Sequence, residues 1–229
     1  MKAIRIEIAA SLCLAATLFA ISPLRAEPNY DAGRPFTKIA NNGGALAADA
    51  VLGSKPQDWA CVIDETSGLM WEVKTADDGL RDRDWTYTPY DSNPETNGGW
   101  LGYRDSTSGE CIRGAMEENS CNTEAYVKAV NKAGLCGYND WRLPRLSEIV
   151  AVAKETAREA PNETSKMLPN TADGWYWTGV EHVGVTSFSR VVLLPRAGRP
   201  HFYDGSYLVM VVRDTKKNSN TASGPTGDR

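Results

Sequence analysis

The stretch Gly-Tyr-Asn-Asp-Trp-Arg-Leu-Pro, residues 137–144, says most about the fold. It predicts a short extended segment, because Pro144 has a fixed backbone and no amide hydrogen with which to continue a ladder. Side chains alternate along an extended chain. Trp141 and Leu143 are therefore expected to face the interior, while Arg142 faces the other way.

On that opposite face Arg142 has carboxylates within reach along the chain, either Glu148 or Asp140. A guanidinium binds a carboxylate through two parallel hydrogen bonds. We therefore expect Arg142 to be a largely buried structural clasp whose removal strongly destabilises the domain.

Two helices are predicted on either side of this stretch. Asn122 or Thr123 can cap the first, which runs to about Ala133 and ends at Gly134. The second begins near Ser147 and continues through apolar residues at helical spacing.

Strands are predicted near both ends of the domain. Residues 61–64 and 69–73 form two apolar runs around a turn that contains Gly68, the pattern of a β-hairpin. Further strands are expected at 175–177, 188–194 and 207–212. Residues 75–120 are rich in turn formers and predict a long, elaborated loop region.

The first 26 residues have the layout of a cleaved signal peptide. Lys2 and Arg5 precede a mostly apolar stretch, and Ala26 offers a small residue for cleavage. A retained anchor is the alternative, but the apolar stretch is short for a span of about 20 residues. We expect a periplasmic or secreted protein with no membrane span after processing.

Four cysteines follow the signal peptide: Cys61, Cys111, Cys121 and Cys136. An even number in an exported chain predicts disulfides, and the spacings are too wide for the close pairs of a zinc site. Of the three possible pairings we favour Cys111 with Cys121, the most local link, and therefore Cys61 with Cys136.

The charge of the chain disfavours polyanionic partners. Residues 1–26 hold three basic residues and one acidic residue, so their removal changes the formal charge from −4 to −6. Without a run of lysines and arginines, such a domain is not expected to bind nucleic acid.

A family resemblance rests on residues 137–144 with Glu148 after them, on the hairpin at 62–73 and on the helix from Thr123. In these features the chain resembles the bacterial Lcl C-terminal-type domain over about residues 58–214. Residues 176–177 and 211–213 match its closing strands.

The resemblance implies an α+β, C-type-lectin-like fold with two mid-chain helices, short strands and long loops, distantly related to the formylglycine-generating sulfatase-modifying enzymes. Members with a known role are largely adhesins and sugar-polymer binders, some of them trimeric. Arg145 stands where that motif usually has Thr, so capping of the second helix must pass to Ser147 or be lost. Outside the domain we expect an extended, partly ordered leader at 27–57 and a disordered tail at 215–229.

Enzyme chemistry finds little support in the residues. No cysteine follows Cys136, so the reactive pair of the formylglycine-generating enzymes is missing. Only His182 and His201 offer an imidazole base, and no serine lies in a Gly-x-Ser-x-Gly elbow. A hydrolase with paired carboxylates stays open as an alternative, because their separation is a tertiary property.

No metal or cofactor is expected. The acidic run at residues 77–84 suggests calcium as an alternative to a solvated loop, but it lacks the Asp-x-Asp-x-Asp-Gly order of known calcium loops.

Aromatic residues in the long loop are the candidate ligand-binding site. Tyr90, Trp100 and Tyr103 lie among polar side chains, and a sugar site needs flat aromatic platforms with hydrogen-bonding groups nearby. Those polar neighbours are Asp91, Asn93, Asn97 and Arg104. A C-type-lectin-like fold would let a second segment line the opposite wall, with Arg199, His201 and Tyr203 as its residues.

The function expected from these observations is a non-enzymatic, adhesin-like binding module for a glycan or envelope polymer. A protein partner in the envelope and an oligomer are both compatible with the sequence. The alternatives are an envelope hydrolase and a structural subunit of a surface assembly.

Overall fold

The computed structural model describes residues 35–97, 99–104, 108–116, 120–158, 166–179, 190–194, 201–202 and 205–216. The two helices in these ranges are α1 (Thr123–Ala133) and α2 (Leu146–Arg158). The strands are β1 (Phe36–Ala40), β2 (Trp59–Asp64), β3 (Leu69–Glu72), β4 (Thr86–Tyr87), β5 (Gly174–Thr178), β6 (Arg190–Leu194), β7 (His201–Phe202), β8 (Tyr207–Leu208) and β9 (Val212–Asp214). This confirms the α+β class. The signal peptide and residues 217–229 lie outside the described ranges.

The first sheet has the strand order β1-β2-β3-β9 and is antiparallel throughout. The β2–β3 hairpin is the one predicted. Its turn forms because the Asp64 carboxylate accepts hydrogen bonds from the Thr66 amide, at 3.0 Å, and from the Ser67 hydroxyl. Gly68 then adopts a φ of +70°, which a residue without Cβ tolerates best.

The region expected to be a leader contributes a strand to this sheet. β1 pairs with β2 from Phe36 opposite Asp64 to Ala40 opposite Trp59. The large apolar side chains of β1, Phe36 and Ile39, are 5% and 4% exposed. The folded unit therefore begins upstream of the expected boundary at Asp58.

The second sheet has the order β4-β8-β5-β6-β7. The strand predicted at 207–212 is wrong as a single element, because β8 belongs to this sheet and β9 to the first. Residues 209–211 cross between the sheets and bury alternate side chains in two core clusters. At the crossing the Val211 amide donates to the Glu72 carboxylate at 3.1 Å, so a side chain replaces a strand neighbour.

Both helices lie where they were predicted. Asn122 caps α1 by accepting the Ala125 amide at 2.8 Å, and Gly134 ends it in the left-handed conformation. At α2 the Glu148 carboxylate accepts the Arg145 amide at 2.7 Å. The cap is therefore neither lost nor passed to Ser147 alone, because the acidic residue of the first turn supplies the return half of a capping box.

Disulfides join Cys61 to Cys136 and Cys111 to Cys121, the pairs that the spacing favoured. Trp71, Trp141 and Trp177 are at most 2% exposed and are core residues. Two disulfides indicate an oxidising, extracytoplasmic environment. Neither of the described helices has the length and apolar character that crossing a bilayer requires.

Candidate functional site

The stretch at 137–144 is fixed on both sides by the fold. Arg142 pairs with Val212 of β9 through two backbone hydrogen bonds of 3.0 and 2.9 Å. The Asn131 side chain on α1 holds the amide and the carbonyl of Trp141, at 2.8 and 2.9 Å. Trp141 is buried and donates from Nε1 to the Leu135 carbonyl at 3.0 Å. The predicted inward position of this tryptophan is confirmed.

Arg142 binds Glu148, not Asp140. Its two terminal nitrogens lie 2.8 Å from the two carboxylate oxygens, and Nη2 is also 3.2 Å from Asp214. The predicted bond between Arg142 and a carboxylate is present, and most of the Arg142 side chain is buried, since 29% of it is exposed. Burial alone would raise the pKa of Glu148, but hydrogen bonds from Arg142 and the Arg145 amide, with the charges of both arginines, hold that pKa below its usual value.

Asp140 has a different partner in the last strand. Its two oxygens lie 2.6 and 3.2 Å from the Arg213 guanidinium, which also lies 3.6 Å over the ring of Tyr138. The side chains of Tyr138, Asp140, Trp141 and Arg142 are thus occupied in holding the domain together.

A groove of about 500 Å³ lies between three segments: the loop from Tyr90 to Tyr103, which we call the Tyr90 loop, the outer face of α1, and the residues that follow Arg142. Its lining comprises Tyr90, Asp91, Ser92, Asn93, Thr96, Thr123, Glu124, Val127, Lys128, Arg142, Leu143, Arg145 and Gly179. Tyr90, Val127 and Leu143 supply apolar surface. Hydroxyl, amide and charged groups surround them. We call this cavity the main groove.

A second cavity of about 240 Å³ adjoins the main groove. Tyr90, Ser92, Glu124 and Lys128 line both cavities. The residues that line only the second one are Arg104, Ser120, Asn122 and Ala125. We call it the side pocket.

The Tyr90 loop is attached to the first turn of α1. Thr123 Oγ1 accepts the Tyr90 amide at 3.0 Å and donates to the Tyr90 carbonyl at 2.8 Å. The Glu124 carboxylate accepts the Ser92 amide at 2.5 Å and its hydroxyl at 3.0 Å. The Tyr90 loop, which lines one side of the main groove, is therefore held in place by α1, which lines the other.

Charged groups around the main groove are paired with each other. Lys128 Nζ lies 2.7 Å from Glu124, and the exposed Arg145 lies 3.4 Å from Glu148, which also binds Arg142. Burial would raise the pKa of Glu124, but the hydrogen bonds from Lys128 and Ser92 lower it below its usual value. Both carboxylates are held in the ionised form.

Of the three predicted aromatic residues, Tyr90 lines both the main groove and the side pocket. Trp100 and Tyr103 pack edge to face with ring centres 5.5 Å apart, and Tyr103 is 44% exposed. Neither lines the main groove or the side pocket. Their role in ligand binding stays a prediction. In the structure they form a cluster, the Trp100–Tyr103 cluster, on the other arm of the loop, which pairs with the Tyr90 arm at Gly102.

The predicted polar neighbours divide in a similar way. Asp91 and Asn93 line the main groove and Arg104 lines the side pocket. Asn97 is 6% exposed and serves the loop itself, because its Oδ1 accepts the Gly99 amide at 2.8 Å and its Nδ2 donates to the Asp91 carbonyl. It is not available to a ligand.

The second predicted segment does not join this site in the described part of the chain. Arg199 and Tyr203 lie outside the described residues, and His201 is described only as part of strand β7. In the second sheet β7 and β4, the strand before Tyr90, are opposite edges with three strands between them. At about 4.8 Å per strand the two edges are roughly 19 Å apart.

The acidic loop at 77–84 is built around its own carboxylates. Asp82 accepts the amides of Asp77 and Asp78 at 2.7 and 2.8 Å. The guanidinium of Arg81 donates inward to the carbonyls of Ala60 and Val73. Among the described residues no group of three or more histidine, cysteine or acidic side chains is arranged to hold a metal ion.

Sequence reasoning missed a buried polar network below α1. Tyr126 donates to Glu72, and Lys74 Nζ lies 3.3 Å from Glu72 and 3.0 Å from the Tyr126 hydroxyl. Burial lowers the pKa of Lys74 and raises that of Tyr126 well above its usual value. The pattern Glu-x-Lys, which begins at the last residue of the otherwise apolar β3, is a detectable signal, since charged residues are rarely placed inside unless they are paired.

The walls of the main groove on α1 were also missed. Thr123, Glu124, Val127 and Lys128 form one stripe of the helix, next to the buried stripe that was used to predict it. Val127, an apolar residue that is only partly buried, is the residue in this stripe that could have drawn attention to it.

Comparison with known proteins bears on the whole domain. The family model of the Lcl C-terminal domain matches residues 60–213, and no curated protein and no solved structure matches the chain. The C-type-lectin-like relationship therefore stays a prediction. The match covers every strand from β2 to β9, apart from Trp59 and Asp214 at its two ends, together with both helices, residues 137–144 and the main groove; β1 lies outside it. The chain belongs to the Lcl C-terminal domain family.

Proposed function

We propose that this protein is a non-enzymatic binding module of the periplasm or the cell exterior that holds a glycan or glycan-like envelope polymer in the main groove. The observation that carries the proposal is the composition of that groove. A cavity of about 500 Å³ with apolar surface from Tyr90, Val127 and Leu143, edged by polar groups, suits sugar rings, which have apolar C–H faces and polar rims.

The electrostatics of the groove support a ligand without strong net charge. Lys128 is paired with Glu124, and Arg142 is paired with Glu148 and Asp214. A polyanion would have to displace these carboxylates. The negative charge of the chain works in the same direction.

Binding is better supported than hydrolysis by the state of the carboxylates. A general acid for glycoside cleavage needs a raised pKa. Glu124, which lines the groove, has a lowered pKa because Lys128 and Ser92 donate to it. Such a group is suited to accepting hydrogen bonds from a ligand.

A glycan array probed with the oxidised, exported protein tests this proposal. We expect binding to at least one neutral or weakly charged glycan, and its loss in Val127→Asp, which places a carboxylate on the apolar surface. Lys132→Ala, an exposed change on the same helix outside both cavities, is the matched control and should bind normally. Binding that survives Val127→Asp would move the site elsewhere. Absence of binding to every glycan would favour a protein partner, for which the Trp100–Tyr103 cluster, with Tyr103 44% exposed, is the first surface to test.

A further inference from the structure

We propose that the main groove and the side pocket are neighbouring subsites for one linear, uncharged polymer of N-acetylated amino sugars, which crosses the Glu124–Lys128 ion pair. This inference rests on the proposed function and names the ligand class of the same site.

The two cavities are continuous along the surface. Both are lined by Tyr90, Ser92, Glu124 and Lys128, so the two cavities meet at these side chains. Ser92 and Lys128 are exposed, so the boundary between the cavities is open to solvent. A ligand that fills both cavities passes over the ion pair, whose 2.7 Å contact presents a donor and an acceptor side by side.

The chemistry of the two cavities differs in a way that selects the sugar. Val127 and Leu143 give the main groove apolar surface, and the Ser92 hydroxyl and the Asn93 side chain lie at its edge. An acetamido group combines a methyl group with an amide donor and acceptor, so it complements this combination. A sugar that has only hydroxyl groups would cover the apolar surface with its ring C–H face alone and would lack the contact of the methyl group.

The side pocket suits the hydroxyl edge of the next ring. Arg104, Ser120 and Asn122 line it, and the apolar contribution comes from Tyr90 and Ala125. Arg104 is exposed. Its backbone carbonyl accepts a hydrogen bond from the Asn122 side chain at 2.9 Å, and the Arg104 side chain takes no part in that bond. The guanidinium can therefore be removed without breaking that contact.

Two adjoining subsites predict a dependence on ligand length. When two sites are filled by one chain, the second contact is made at high effective concentration, so affinity rises until both sites are occupied and then levels off. Because both cavities are open at the surface, the polymer can continue beyond them at either end. The site would then bind within a chain and not only at its terminus.

Isothermal titration with N-acetylglucosamine and its β-1,4-linked oligomers of two to six units tests the inference on the full exported protein. We expect affinity to rise about tenfold or more by the trimer and then to level off. Arg104→Ala should abolish this rise, so that the trimer binds the variant no more tightly than the monomer does. Lys132→Ala should retain the full length dependence. Cello-oligosaccharides, which have the same linkage without the acetamido group, should bind about tenfold more weakly.

Equal affinity for the monomer and the hexamer would overturn the two-subsite inference, and equal affinity for the two oligomer series would overturn the acetamido selectivity. If neither series binds while another glycan on the array does, this inference is wrong and the proposed function stands. If no glycan binds at all, both are wrong.

Discussion

Arg142 and Glu148 form a two-point ion pair in which Nη1 lies 2.8 Å from Oε2 and Nη2 lies 2.8 Å from Oε1. Glu148 Oε2 also accepts the Arg145 amide, so one carboxylate holds the segment before α2 and caps the helix. Because Arg142 lines the main groove, the same pair joins the stability of the domain to the shape of its proposed site.

Replacing Arg142 by Ala should destabilise the domain by about 2 kcal/mol. This value lies between an exposed ion pair, worth at most about 1 kcal/mol, and a buried pair that loses one partner, which costs about 3 to 5 kcal/mol. The Glu148 side chain is 11% exposed and Arg142 is 29% exposed, which places the pair between these cases. Urea unfolding measures the change.

Arg145→Ala is the matched control for this prediction. The Arg145 side chain is 56% exposed, and its guanidinium lies 3.4 Å from the same carboxylate, whereas the backbone amide that caps the helix is kept in the variant. Its removal should change the unfolding free energy by no more than about 0.5 kcal/mol. Equal losses in the two variants would show that the two-point geometry has no special weight.

Glu148→Gln should flatten the loss of stability in acid. The pKa of Glu148 is lowered in the folded protein, so its ionised form stabilises the fold above the unfolded value of about 4.3. That stability is lost as the pH falls through the folded value. Wild type should therefore lose more unfolding free energy than the variant between about pH 5 and pH 3. Urea titrations at several pH values measure the unfolding free energy. An equal loss of unfolding free energy in wild type and Glu148→Gln as the pH falls would contradict this assignment.

These contacts also show how far the sequence could reach. Residues 137–144 were enough to predict the extended segment, the inward position of Trp141 and the bond from Arg142 to a carboxylate. Each of these features depends on contacts with residues nearby in the sequence, such as Asn131 and Glu148. The pairing of β1 with β2 and the division of 207–212 between two sheets depend on distant partners. The main groove forms where three segments come together, at Tyr90, Val127 and Leu143. These segments are far apart in the sequence, so no local pattern predicts that they lie close together.

Tyr126→Phe should destabilise the domain by about 1.5 to 3 kcal/mol, the range for a hydrogen bond to a buried charged group. The substitution keeps the ring and removes the hydroxyl that donates to Glu72 and accepts from Lys74. Thermal or urea unfolding measures the loss.

Tyr87 provides a control only 4.8 Å away, between ring centres. Its hydroxyl is buried and has no hydrogen-bond partner among the described residues. Removing an unsatisfied polar group relieves a desolvation cost, so Tyr87→Phe should be neutral or stabilising by up to about 1 kcal/mol. A larger loss in Tyr87→Phe than in Tyr126→Phe would contradict the network described here.

The two disulfides should differ in their contribution to stability. Cys61 and Cys136 are 75 residues apart, whereas Cys111 and Cys121 are 10 apart. Loop-closure entropy then gives about 4.5 kcal/mol for the long link and about 2.7 kcal/mol for the short one. Unfolding of the two paired Cys→Ala variants measures both, and a greater loss from the short link would show that chain entropy does not govern the difference.

The most direct test of the central claim compares two tyrosines of one loop. Tyr90 lines both cavities, whereas Tyr103 is exposed, belongs to the Trp100–Tyr103 cluster and lines neither cavity. Calorimetric titration of the best glycan from the array should show at least about a tenfold loss of affinity in Tyr90→Ala, equal to about 1.4 kcal/mol, and little change in Tyr103→Ala. Unchanged affinity in a folded Tyr90→Ala protein, together with a loss in Tyr103→Ala, would contradict the placement of the site in the main groove.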